Sequence, residues 1–175
     1  GSQIRLLTLP VNYMTLLMGK VAVYLLVCLV QMSAMLLAGV FVLPLIGLPR
    51  LVLAGAFGGL LAISLVVALA AVGYGLMIGT VARTHQQAAA FGSISVIILA
   101  AVGGLWVPIY LMPPFMTVVA GFSPLNWAIT AFYNLFLRGG GMVTILPQAA
   151  KLLAFFAATV ALTAIYQRIR RPMNN

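Results

Sequence analysis

Aspartate and glutamate are absent from all 175 residues. Carboxylate dyads, hard-cation cages and acid-based proton relays are therefore closed to this chain. Histidine and cysteine occur once each, as His85 and Cys28, too far apart in sequence to spell out a metal site. Cys28 lies inside an apolar run, can form no internal disulfide, and reads as a small buried hydrophobe. Charge of either sign is scarce, at 5% of residues against roughly a quarter in a soluble domain. What charge there is comes from nine Lys and Arg, for a formal +9. Such a balance can signal nucleic acid, but the cations stand singly or in one terminal cluster at the edges of apolar runs. There they reach membrane lipid headgroups and form no continuous basic face, so a lipid partner is expected and a nucleic acid is not.

Catalytic signatures are missing too. Gly92-Ser93-Ile94-Ser95-Val96 is not a nucleophile elbow. Gly19-Lys20 has Met14 where a phosphate-binding loop needs its first glycine and Val21 where it needs Ser or Thr. No enzyme activity, cofactor or metal is expected within the chain. It opens on Gly1-Ser2 without Met, which reads as a fragment or a processed product, and its first apolar run lacks a signal-peptide layout.

What is present is hydrophobicity, at 65% of residues, cut into lengths by charge, proline and glycine. A helix needs about 20 apolar residues to cross hydrocarbon. By that measure residues 21–43, 51–78, 88–107 and 149–166 are expected to span, with Pro44, Gly47 and Pro49 ending the first. The second carries Gly55 and Gly59, then Gly75 and Gly79, at GxxxG spacing that suits close helix packing. Residues 1–16, divided by Pro10, suit a short interfacial helix.

The stretch 108–141 is interrupted by Pro108, Pro113 and Pro114, leaving pieces too short to cross. It is expected to form a re-entrant or interfacial helical hairpin. In its second half Ser123 is a natural N-cap, Pro124 suits the first helical position, Arg138 falls in the last turn and Gly139 to Gly141 stop the helix. Asn126, Thr130 and Asn134 make a polar row opposite an apolar face, which predicts a half-wet helix. Trp106, Tyr110, Trp127 and Tyr133 supply an aromatic belt, and Lys151 snorkels at the start of the last span. With four spans, Arg5, Lys20, Arg83, Arg168, Arg170 and Arg171 share one side and Arg50, Arg138 and Lys151 the other. Six cations against three place both ends, including the basic tail 167–175, in the cytoplasm of a cell or inner membrane and the hairpin outside. The fold class is all-α and polytopic.

Three stretches in order resemble the permease subunits of the type-two ATP-binding-cassette exporters. They are RLLTLPVNYMTLLMGK from Arg5 to Lys20, GTVARTHQQAAAFGS from Gly79 to Ser93, and VPIYLMPP with SPLNWAITAFYNLFLRGGG between Val107 and Gly141. The resemblance implies spans three to six of a six-span permease, with the first two spans missing from this sequence. It further implies that Arg5, Leu6, Leu7, Thr8, Leu9 and Pro10 form a coupling helix seated on a cytoplasmic ATPase, which binds ATP and magnesium. Arg83, Thr84 and His85 would make a second cytoplasmic contact. Pro113, Pro114, Ser123, Pro124, Trp127 and Arg138 would frame an outer hairpin over the exit of a path shared with a second permease domain, as in a homodimer. The scattered Ser64, Tyr74, Ser93 and Ser95 are compatible with an amphipathic or lipid-like cargo, though helix packing is the preferred account of them. A non-transporting membrane scaffold and a fragment of a secondary transporter remain as alternatives.

Overall fold

The computed structural model describes residues 13–49 and 57–170. It is all-helical: α1 (Tyr13–Leu45), α2 (Phe57–Val81), α3 (His85–Val102), a 3₁₀ turn at Ile109–Leu111, α4 (Pro114–Ala120), α5 (Pro124–Phe136) and α6 (Met142–Arg170). Four of these, α1, α2, α3 and α6, are long and apolar enough to cross a membrane. In a bilayer only a helix or a closed barrel satisfies every backbone polar group, and these apolar runs, with few cations and no acids, have the length for helices.

Helix ends follow local chemistry. Among the described residues, those with positive φ are all glycines, Gly47, Gly104 and Gly139, and they follow the ends of α1, α3 and α5. Past α1, Gly47 N–H donates to the Pro44 carbonyl and Leu48 N–H to that of Leu43. This is the double return bond of a left-handed helix cap. Pro44 therefore lies inside the last turn of α1 and does not stop it. Two glycines shorten the third span. The helix stops at Val102, five residues before the expected 107, because Gly103 and Gly104 turn the chain and Ile109 packs over Gly104. Tyr13 to Lys20 already belong to α1.

The core lies where α2, α5 and α6 meet. Ile63, Ala70, Ala128, Ala131, Leu135, Ile145 and Leu152 form one buried cluster. α2 and α6 run parallel: Gly59 faces Leu135 and Ile145, and Gly73 faces Phe156 and Thr159. Lipid is as apolar as leucine, so contact of this kind depends on close packing and not on escape from water. Gly73 supplies it, since a Cβ there would stand 2.6 Å from the Thr159 hydroxyl and 2.7 Å from the Phe156 ring. Tyr74 and Phe155 add a tilted ring pair at 6.1 Å. A smaller cluster joins α1 to α2 through Val21 and Val72, with half-buried Cys28 packed as a hydrophobe. Apart from Val21, no residue in α1 whose exposure is described is buried, and α3 buries only Ala100.

Candidate functional site

The chain offers a structured feature at each end of the bundle and bare apolar helix faces between them. At one end α2 passes into α3 through Ala82, Arg83 and Thr84. The Thr84 hydroxyl oxygen accepts the Gln87 N–H at 3.1 Å, and Gln87 Oε1 accepts the Arg83 N–H at 2.9 Å. This reciprocal pair satisfies two donors that a helix start leaves open. Arg83, Thr84 and His85 are thus all exposed on a locally fixed turn. They form a compact polar surface.

At the other end α4 and α5 meet at 89°. Seven and thirteen residues give lengths of about 10 and 20 Å, each short of a hydrocarbon core of about 30 Å. Two adjacent side chains of α5 fix the bend. Asn126 Nδ2 donates to the Ala120 carbonyl at 2.8 Å, and Trp127 Nε1 donates to the Gly121 carbonyl at 2.7 Å. Both acceptors lie at the C-terminal end of α4, where carbonyls lack helical partners. Thr130 donates to Asn126 Oδ1 at 3.0 Å and so orients that amide. Further along, Arg138 donates to Asn134 Oδ1 at 3.0 Å, and Gly140 N–H donates to the Asn134 carbonyl at 2.8 Å.

The two asparagines of the α5 row are therefore not wet. Asn126 and Asn134 are 8% and 9% exposed, because the α4 carbonyls and Arg138 satisfy them inside the fold. Ser123 occupies the N-cap position without capping; its hydroxyl reaches instead to the Leu99 carbonyl of α3, at 3.4 Å. Pro124 begins α5 and Pro114 begins α4, with Pro113 just before it. Arg138 lies two residues beyond the end of α5, outside its last turn. Trp106, Tyr110 and Tyr133 are exposed at this end. Lys151 Nζ sits 5.9 Å from the centre of the Trp127 ring.

The remaining marked residues disperse. Arg5 to Pro10 and Gly55 lie outside the described residues. Gly59 packs on Leu135, whereas a Cβ at Gly75 or Gly79 would meet nothing within 4 Å. The close approach falls at Gly73, which no glycine spacing flags, since Leu69 and Met77 stand four residues either side. Ser64 donates to its own helix at Leu60, Ser93 at Ala90 and Ser95 at Gly92. Each of these hydroxyls donates to the backbone of its own helix. Along α1 runs an open groove between Leu25, Leu26, Leu29 and Leu37, apolar except for Ser33, whose hydroxyl is tied to the Leu29 carbonyl.

Comparison with known proteins places these features. The model of the ABC-2 type transporter family matches residues 1–137. The chain is similar to the linearmycin resistance permease protein LnrN of Bacillus subtilis (strain 168), 40% identical over 93 residues. That match covers 53% of this chain and 24% of the relative. The chain thus spans about a quarter of the curated relative's length. No solved structure matches it.

Proposed function

Because the chain belongs to the ABC-2 type transporter family, we propose that it forms part of the membrane-spanning permease of an ATP-driven exporter. The carrying observation is the family match across 137 residues, which takes in the α1 approach, the Arg83 turn and the bent α4–α5 pair. In this reading ATP and magnesium are held by a partner ATPase. Arg5 to Pro10 dock on it, and the capped turn at Arg83, Thr84 and His85 makes a second contact. A fixed turn suits that role, because a push on a floppy loop is lost before it reaches α2 and α3.

The bent pair lies at the opposite end, and the positive-inside bias puts it on the outer face of the membrane. Its pinned angle makes a rigid cover, supported on α2 and α6, for the exit of a path formed with a second permease domain. The exposed apolar faces of α1 and α3 are available to lipid, to that second domain and to other spans. The cargo class is amphipathic. The relative's name, a linearmycin resistance permease, makes linearmycin the first compound to try.

The test is ATP hydrolysis by the complete complex reconstituted in vesicles, measured against a panel of amphipathic compounds. Stimulation that depends on the permease is expected for at least one of them. An ATPase rate indifferent to every compound and to the permease's presence would favour a non-transporting scaffold.

A further inference from the structure

Lys151 lies nine residues into α6, itself 29 residues long. At 1.5 Å per residue α6 measures about 43 Å against about 30 Å of hydrocarbon, so with both ends overhanging equally Lys151 starts several ångströms below the headgroups. A lysine can snorkel from that depth, but its ammonium then arrives among phosphates in need of an anion. The chain supplies none, having no Asp or Glu anywhere.

Two neighbours show what kind of anion fits. Trp127, pinned by its own N–H to Gly121, holds its ring 5.9 Å from the ammonium, an amphipathic wall of the sort found at the lipid headgroup level. Gln148, one turn nearer the end of α6, keeps a buried amide oxygen with no hydrogen-bond partner. A buried acceptor left open costs about 1–3 kcal/mol, so a ligand carrying a donor beside its negative charge gains on both groups. Arg138, just past the end of α5, is held by its bond to Asn134. Asn134, which orients it, is seven residues from Trp127, or about 10 Å along α5.

We propose that Lys151, Gln148 and Trp127 form a binding site for the headgroup of an acidic phospholipid, with Arg138 at its rim. The phosphate pairs with the Lys151 ammonium, and a headgroup hydroxyl donates to Gln148 Oε1. Phosphatidylglycerol has both groups and phosphatidylcholine lacks the donor. The site concerns the lipid around the bent pair and does not depend on what, if anything, is transported.

Native mass spectrometry of the full-length permease complex, titrated with phosphatidylglycerol or phosphatidylcholine, tests it. The first phosphatidylglycerol should bind more tightly than phosphatidylcholine. Lys151→Gln should weaken it about fivefold, the effect of one cation at an anionic surface, while Lys151→Arg retains it. Arg168→Gln, a cation removed at the opposite end, should leave it unchanged. Gln148→Leu should narrow the preference between the two lipids, and it carries the test if Lys151→Gln lowers the melting temperature. No loss in Lys151→Gln, or an equal loss in Arg168→Gln, overturns the site. Displacement by inorganic phosphate at matched ionic strength overturns the lipid as its occupant.

Discussion

Gly73 and Gly75 stand two residues apart on α2 and face different surroundings. At Gly73 any side chain meets Phe156 and Thr159, and the Thr159 hydroxyl is held by its bond to the Phe156 carbonyl. Gly73→Val should therefore force α2 from α6 and cost about 1–3 kcal/mol, the usual penalty of overpacking, seen as a lower midpoint of thermal unfolding in detergent. Gly75→Ala should leave that midpoint unchanged, having open space beside it. If the Gly75 and Gly79 face meets a second permease, the same change lowers dimer recovery on crosslinking instead. Asn126 makes a second residue-scale case. Asn126→Ala removes its bond to the Ala120 carbonyl and frees Thr130. A loss of about 1 kcal/mol is expected for a bond of this kind in a membrane protein, with faster hydrogen exchange confined to α4 and the start of α5.

Among the elements, α5 shows how a pattern can be read correctly in period and wrongly in environment. The spacing of Asn126, Thr130 and Asn134 gives one helical face, as the structure has it, but its two asparagines are buried and satisfied by α4 and Arg138, and half-buried Thr130 bonds back to Asn126. Polar spacing marks a face; it does not say whether water or a carbonyl lies opposite. The third span shows a different gap. Apolar composition continues to Val107, and only the φ of +91° at Gly104 reveals that the helix has already turned. For the proposed docking segment the reasoning stays with sequence: Leu6 and Leu7 are among the apolar residues of the stretch Arg5 to Pro10. Leu6→Asp with Leu7→Asp should abolish co-purification with the ATPase while leaving the helical circular dichroism of the spans intact. Complex formation at the parent level would remove the docking role.

For the whole molecule the governing quantity is parity. Four crossings would put His85 and Gly139 on opposite sides of the membrane, and the cation bias predicts that His85 is inside. In a Cys28→Ser background, cysteine placed at Gly139 should react with an impermeant maleimide in intact cells. Cysteine placed at His85 should react only after permeabilisation. Labelling of both from one side would mean that the α4–α5 pair completes a fifth crossing, the arrangement its combined length allows.

The all-helical character, the four apolar spans and the lack of acid chemistry are determined by the sequence alone. They depend on composition and on the length of uncharged runs, which bilayer thickness reads directly. The family, too, is legible in three short motifs because their order and spacing survive without coordinates. Tertiary structure decided what those properties leave open: that Gly73 is the crossing point, that the asparagines of α5 face inward, and that Trp127 of α5 lies against Lys151 of α6. Each is a meeting between residues distant in sequence or on different helices. Helical periodicity fixes which residues share a face, but only packing decides what that face meets.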